Sequence, residues 1–296
     1  MKKYLRHFIV IVAALLAGSC GVVKFRNSPV YYAGAPTVPG YMPKGTVQEV
    51  YYPCSVPGPT KRRMIVYLPE GYEDSDQSYP VLYLLHGARG YETSWIRKGR
   101  MLQITDSLFS AGLAVPCIVV MPNVNQYNDD KDFENSRYKD AFESIFEIDG
   151  TVESAFRRDV VDFVDSCYRT IPDKSHRAIA GLSIGALQSI YLSANFPDTF
   201  GYVGLFSPFV SIIQKPGKYN SFYFGIRDKL QAQFEDPPLG YYICLGRTDI
   251  FRPHISHFRR YMDHFGYEYE YHSTPGGHDW KNWKLYYTEM LQRIFR

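Results

Sequence analysis

Residues Arg177 to Leu187, RAIAGLSIGAL, restrict the fold of this chain more than any other stretch, because they change from one periodicity to another across a serine flanked by glycines. Ala178 to Leu182 is a short apolar run of the kind a buried strand makes, while Ala186 to Phe196 carries Leu187, Ile190, Tyr191 and Ala194 at helical spacing. A strand that turns directly into a helix between Gly181 and Gly185 lifts the Ser183 side chain clear of the sheet. The two glycines let strand, turn and helix approach one another closely. Ser183 is therefore a candidate nucleophile. A serine hydroxyl reacts poorly near neutral pH, so this role requires a base, an acid to orient it and donors for a developing oxyanion elsewhere in the chain.

The rest of the pattern predicts the frame that would hold them. Val47 to Tyr52 and Arg63 to Leu68 read as strands around the turn at Pro57 to Pro59, and Tyr79 to Leu85 as a third. Strands at Cys117 to Met121, Ala178 to Leu182, Tyr202 to Phe206, Tyr241 to Leu245 and Tyr267 to His272 then alternate with helices. The helices are expected near Arg100 to Ala111, Val152 to Tyr168, Ala186 to Phe196, Arg227 to Phe234, Pro253 to Phe265 and from Asn282 onward. Such alternation predicts an α/β fold, a mainly parallel central sheet with helices on both faces. With 45% hydrophobic residues in 296, the chain has material for a large core. One segment breaks the rhythm. Pro122 to Gly150 is long, polar and aromatic, and it leaves the carboxyl end of a strand, so it reads as an insertion forming a pocket wall.

The first residues carry a separate message. A basic start and an apolar run from Phe8 to Ala17, too short to span a bilayer comfortably, lead into LLAGSC. Residues 1–19 read as an export signal of the lipoprotein type, with Cys20 as the lipidated first residue of a periplasmic or outer-membrane-anchored protein. Residues 20–45, rich in Pro, Gly and Tyr, read as a tether, and 46–296 as the domain. Lys2, Lys3 and Arg6 fall in the signal, and without them basic and acidic residues balance. A nucleic-acid partner thus has no electrostatic support, and contact with a membrane is expected through the lipid anchor only. Cys54, Cys117, Cys167 and Cys244 show no CxxC spacing and read as buried free thiols. The 26 tyrosines hint at sugar-stacking surfaces.

The partners of Ser183 follow from chain order. His7 lies in the signal, His176 precedes the nucleophile strand, and His254, His257 and His264 ride one helix with no acidic partner at metal-ligand spacing, so no metal is expected. His278 differs, because Gly276 and Gly277 allow its loop to present the imidazole over the sheet end, which makes it the candidate general base. Asp249 is the candidate acid. It lies between Ser183 and His278 just beyond the strand Tyr241 to Leu245, whereas Asp228, Glu235 and Asp236 sit in or near a polar helix and Asp279 adjoins the base. Backbone N–H groups of Ala88 and Ile184 are the candidate oxyanion donors, one in the turn after the third strand and one following the nucleophile. His86 shapes that turn and is a candidate substrate-binding residue at the edge of the expected pocket.

Taken together, YLPEGYEDSDQSYPVLYLLHGARG, RAIAGLSIGAL, Gly246 to Asp249 and GGHDWKNW resemble the esterase family of α/β-hydrolases. That family includes feruloyl esterases, acetyl xylan esterases, S-formylglutathione hydrolases, siderophore esterases and mycolyltransferases. The resemblance covers about residues 46 to 296. It implies an α/β-hydrolase fold, a triad of Ser183, Asp249 and His278, oxyanion donors at Ala88 and Ile184, and no cofactor. Many members carry Gly-Leu-Ser-Met-Gly-Gly where this chain has Ile184 and Ala186, substitutions that keep the turn intact. The GGHDWKNW ending and Glu92 to Trp95 are similar to the exported polysaccharide esterases, which implies hydrolysis of feruloyl or acetyl esters on plant-type polysaccharide. Trp95, Trp280 and Trp283 are then expected to stack on an aromatic acyl group or a sugar. Alternative readings are a siderophore trilactone esterase, an acyltransferase of the same fold and a non-catalytic carbohydrate-binding lipoprotein.

Overall fold

The computed structural model describes residues 41–57, 61–125, 148–210 and 221–296. The expected export signal, Cys20, the tether up to residue 40 and most of the 122–150 insertion lie outside the described residues. One sheet of eight strands organises the rest, in the order β1-β2-β4-β3-β5-β6-β7-β8. These are β1 (Thr46–Pro53), β2 (Lys61–Leu68), β3 (Val81–Leu85), β4 (Ile118–Pro122), β5 (Arg177–Leu182), β6 (Tyr202–Phe206), β7 (Gly240–Gly246) and β8 (Glu270–Thr274). The β1/β2 and β2/β4 pairs are antiparallel, and the five pairings from β4/β3 through β7/β8 are parallel. The expected α/β fold is thus present as an α/β-hydrolase sheet with an antiparallel margin.

Alternation along the central strands explains why helices cover both faces. In β5, Ile179 packs into one core with Ile118 and Val120 of β4, while Ala178, Ala180 and Leu182 pack into the opposite core with Val119 and Met121. The first core is closed by α4 (Asp162–Cys167), α5 (Ile184–Asn195), α6 (Ile226–Glu235) and α7 (Arg252–Phe265), through residues such as Val164, Ile190, Leu230 and Phe258. The second is closed by α2 (Met101–Ser110) and α8 (Trp280–Leu291), through Met101, Leu102, Tyr286, Tyr287 and Met290. The short helices α1 (Ser94–Arg97) and α3 (Thr151–Ser154) complete the set. Among the described residues no helix is long and apolar enough to cross a membrane.

Three expectations need correction. The single helix expected over Val152 to Tyr168 is interrupted, with a π-helical turn at Arg157–Val161 between α3 and α4. The last strand begins at Glu270, not Tyr267, because Gly266 ends α7 at φ 68° and the Tyr267 N–H bonds back to the Met262 carbonyl, which keeps the next residues with the helix. Cys54, Cys117 and Cys244 are free, but Cys167 is disulfide-bonded; Cys167 and Cys54 are only half-buried, whereas Cys117 and Cys244 are enclosed by the core. Ahead of β1, Tyr41 donates to Asp106 of α2, and so does the Lys44 N–H at 2.8 Å, so the chain lies against the domain before the first strand starts.

Candidate active site

Ser183 is the residue at which β5 becomes α5, and its backbone adopts φ 55° and ψ −114°, a conformation a non-glycine residue rarely holds. Such strain costs on the order of 1–3 kcal/mol and persists only where the surroundings over-determine it. Here the surroundings are the two glycines. A Cβ on Gly181 would stand 2.4 Å from the Gly185 carbonyl carbon, and one on Gly185 would stand 2.4 Å from the His86 carbonyl oxygen. Any side chain at either position would push the turn apart. The Ser183 N–H is also fixed, by a 2.8 Å bond to the Phe206 carbonyl at the end of β6.

At the same sheet edge, the loop after β8 delivers His278. Its Nε2 lies 3.0 Å from Ser183 Oγ, and its Nδ1 lies 3.1 and 3.3 Å from the two Asp249 carboxylate oxygens. These contacts pair consistently when Nδ1–H donates to Asp249 and Nε2 accepts from the serine hydroxyl. The loop is pinned on both sides. Arg247 N–H bonds the Thr274 carbonyl at 2.8 Å, Thr248 N–H bonds the Gly276 carbonyl at 3.0 Å, and Asn282 Nδ2 donates to the Gly277 carbonyl at 2.9 Å. Asp279, set aside as a partner for His278, caps α8 by accepting from the Lys281 and Asn282 N–H groups.

Asp249 has a fully buried side chain. Burial alone would raise its pKa, but hydrogen bonds from His278, the Phe251 N–H and the Ser207 hydroxyl, together with the His278 charge when it forms, outweigh burial and lower it. Ser207 went unnoticed in the sequence. It follows β6 with φ 53°, and its Oγ accepts from Trp283 Nε1 at 3.0 Å, which leaves the hydroxyl proton for Asp249. Trp283 and Phe251 flank the His278 ring edge-on, at centroid distances of 5.0 and 4.9 Å.

The turn after β3 lies directly against this constellation. A Cβ on Gly87, the residue before Ala88, would stand 3.4 Å from Ser183 Cβ, so the turn packs directly against Ser183. Among the described residues, no acceptor engages the N–H of Ala88 or of Ile184. His86 holds the turn in place. Its Nδ1 pairs with the Gly87 carbonyl at 2.9 Å, and its Nε2 accepts from the Val124 N–H at 3.2 Å. Both ring nitrogens are therefore occupied by the protein. His86 is a strut of the turn and does not bind substrate through its imidazole. Burial lowers its pKa to about 4, against hydrogen bonds to Gly87 and Asn123 that act the other way.

A buried ion pair ties the same turn to β2 and β4. Arg63 approaches Glu92 Oε1 at 2.6 Å, and Asn123 Nδ2 donates to Glu92 Oε2 at 2.8 Å, while Asn125 Nδ2 donates to the Gly90 carbonyl at 2.9 Å. Arg63 beside Arg62 in an otherwise apolar strand is the sequence signal of this buried partner.

The tryptophans divide differently from expectation. Trp95 is completely buried, donates from Nε1 to the Leu85 carbonyl at 2.9 Å and packs against Phe206, Trp280 and Tyr287. It is a core residue and cannot stack on a ligand. Trp283 is buried behind His278, so it supports the imidazole and offers no ligand surface, and Trp280 is half-buried between these two. Among the described residues no group of three or more His, Cys, Asp and Glu side chains converges to hold a metal.

With this geometry in view, the chain can be compared with known proteins. The family model described as "Putative esterase" matches residues 57–236, a span that includes Ala88 and Ser183 and ends before Asp249 and His278. An endo-1,4-beta-xylanase/feruloyl esterase of Xylanibacter ruminicola is 29% identical over 259 residues, covering 85% of this chain and 32% of that protein. The chain thus spans about a third of the length of this curated relative. A ferulic acid esterase from Anaeromyces mucronatus, solved in complex with ferulic acid, superposes with a TM-score of 0.71 at 24% identity, covering 92% of this chain and 98% of that one. An S-formylglutathione hydrolase from Staphylococcus aureus gives 0.63 at 17%, covering 85% and 96%. At these identities the two superpositions establish the fold.

Proposed function

The chain belongs to the Putative esterase family, a family of carboxylic ester hydrolases with the α/β-hydrolase fold, and from that premise we propose that it is a serine esterase releasing ferulate from esters on plant-type polysaccharide. The observation that carries the reading is the hydrogen-bonded chain from Ser183 through His278 to the buried Asp249. Ser183 Oγ attacks the ester carbonyl while His278 Nε2 takes its proton, and the N–H groups of Ala88 and Ile184 bind the oxygen that becomes negative. His278 then passes the proton to the departing alcohol, and Asp249 steadies the imidazolium. In the second half, His278 draws a proton from water, whose oxygen attacks the acyl carbon and releases the acid.

The acyl group is argued from the relatives, since the Xylanibacter protein is named for feruloyl esterase activity and a feruloyl esterase module from Clostridium thermocellum has been solved with sinapinate. Action outside the cell agrees with an export signal at 1–19 and with the disulfide at Cys167, since such bonds persist in oxidising compartments. The test is acid release by the purified protein from methyl ferulate, acetylated xylan and a siderophore trilactone, each beside Ser183→Ala. Serine-dependent release fastest from methyl ferulate is expected. Fastest turnover of the trilactone or of acetylated xylan overturns the acyl assignment, and a product in which an added sugar carries the ferulate indicates an acyltransferase.

A further inference from the structure

One aromatic side chain borders His278, and a second lies behind it. Phe251 stands edge-on to the His278 ring at 4.9 Å, and Phe209 lies 5.1 Å from Phe251 and 5.2 Å from the exposed His254 ring. Both phenylalanines are only half-buried, beside an Ile250 that is 70% exposed.

Sheet order decides which part of an ester this patch faces. Ser183 ends β5, whose neighbours are β3 on one side and β6 on the other. The turn carrying Ala88 follows β3, so the carbonyl oxygen of a bound ester points to that side. Phe209 follows β6 and Phe251 follows β7, and His278 arrives from β8 on the same side. The leaving oxygen must lie within hydrogen-bond reach of His278 Nε2 to receive its proton. Whatever extends from that oxygen past the imidazole meets Phe251 first and Phe209 next.

We propose that Phe209, Phe251 and His254 form a subsite for the alcohol half of the substrate, and that its ligand is a sugar ring. The composition fits that chemistry. A pyranose or furanose presents a C–H face that packs on aromatic carbon and a rim of hydroxyls, for which the exposed His254 ring beside Phe209 offers a partner. A simple alkyl alcohol would leave the His254 ring nitrogens unused. The subsite rests on the serine-esterase reading above.

Two esters with the same acyl group test it: methyl ferulate, and ferulate esterified to an arabinose-bearing xylo-oligosaccharide. The quantity read is the ratio of kcat/KM for the sugar ester to that for the methyl ester. Wild type is expected to favour the sugar ester, and Phe209→Ala to lower the ratio roughly tenfold, mainly by raising KM for the sugar ester, since loss of one aromatic contact is worth about that factor. Phe209→Trp, which keeps a flat ring, is expected to retain the preference. Phe209→Leu fills most of the volume without the flat face, so it gives the same fall even if the alanine variant is unstable. A ratio unchanged in both Phe209→Ala and Phe209→Leu, or a wild-type ratio near one, overturns the subsite alone. Wild type releasing ferulate from neither ester overturns the esterase reading beneath it.

Discussion

Replacing Asp249 by asparagine is expected to lower kcat by about 10⁴-fold with the protein still folded, the loss typical when the orienting carboxylate of a serine triad becomes an amide. The cause is a tautomer. Asp249 only accepts hydrogen bonds, so it calls for a proton on His278 Nδ1, 3.1 Å away, and leaves Nε2 free to accept from Ser183. An asparagine would keep its carbonyl oxygen where the Phe251 N–H donates, on the Oδ1 position, which turns its NH₂ toward Nδ1. The imidazole then carries its proton on Nε2 and cannot take the serine's. Because its hydrogen bonds lower the Asp249 pKa, the carboxylate stays charged through the ordinary aspartate range, and its contribution disappears only as pH falls through that lowered value. Single-turnover kinetics at pH 7 beside a circular dichroism spectrum checks the prediction, and a kcat within tenfold of wild type would remove Asp249 from the mechanism.

The second large effect concerns stability. His86 is held neutral in the folded protein, with a pKa of about 4, whereas in the unfolded chain it titrates near 6.5. Between those values the unfolded state binds a proton that the folded state refuses. Stability therefore falls as pH drops from 6.5 toward 4 and is fully present above 6.5, with a total loss of about 3 kcal/mol, or a few hundredfold in the unfolding equilibrium. His86→Gln removes this titration, so its urea midpoint should decline less than wild type's between pH 7 and pH 4.5. Parallel declines in the two proteins would show that His86 takes up its proton in the folded state. The turn that fails first in acid is then the one bearing Ala88, because His86 ties it to Val124.

How much of this could be read in advance depended on whether strand ends or side-chain packing decided the outcome. Ser183, Asp249 and His278 each follow a strand, and a parallel sheet collects the carboxyl ends of its strands at one edge, so their juxtaposition was legible from chain order. The position of Ala88 beside Ser183 followed from the same logic applied to β3. Trp95 was misjudged because a residue ten positions after Leu85 can point outward or inward, and the choice is made by Phe206 and Tyr287, which belong to distant segments. The Arg63–Glu92–Asn123 cluster and the Phe209–Phe251 pair escaped for that reason too, since each joins groups far apart in sequence. Ser207 carried no signal beyond its place at a strand end, and only its positive φ and its bonds to Trp283 and Asp249 mark it out.

The central claim is that Ser183 is a nucleophile activated by His278. The most direct measurement is intact mass spectrometry of the protein after brief exposure to a fluorophosphonate, whose phosphorus is attacked by an activated serine oxygen with departure of fluoride. One adduct per chain, located on the peptide bearing Ser183, absent from Ser183→Ala and strongly slowed in Asp249→Asn, is the expected result. An unlabelled wild type, or equal labelling of wild type and Ser183→Ala, would contradict it.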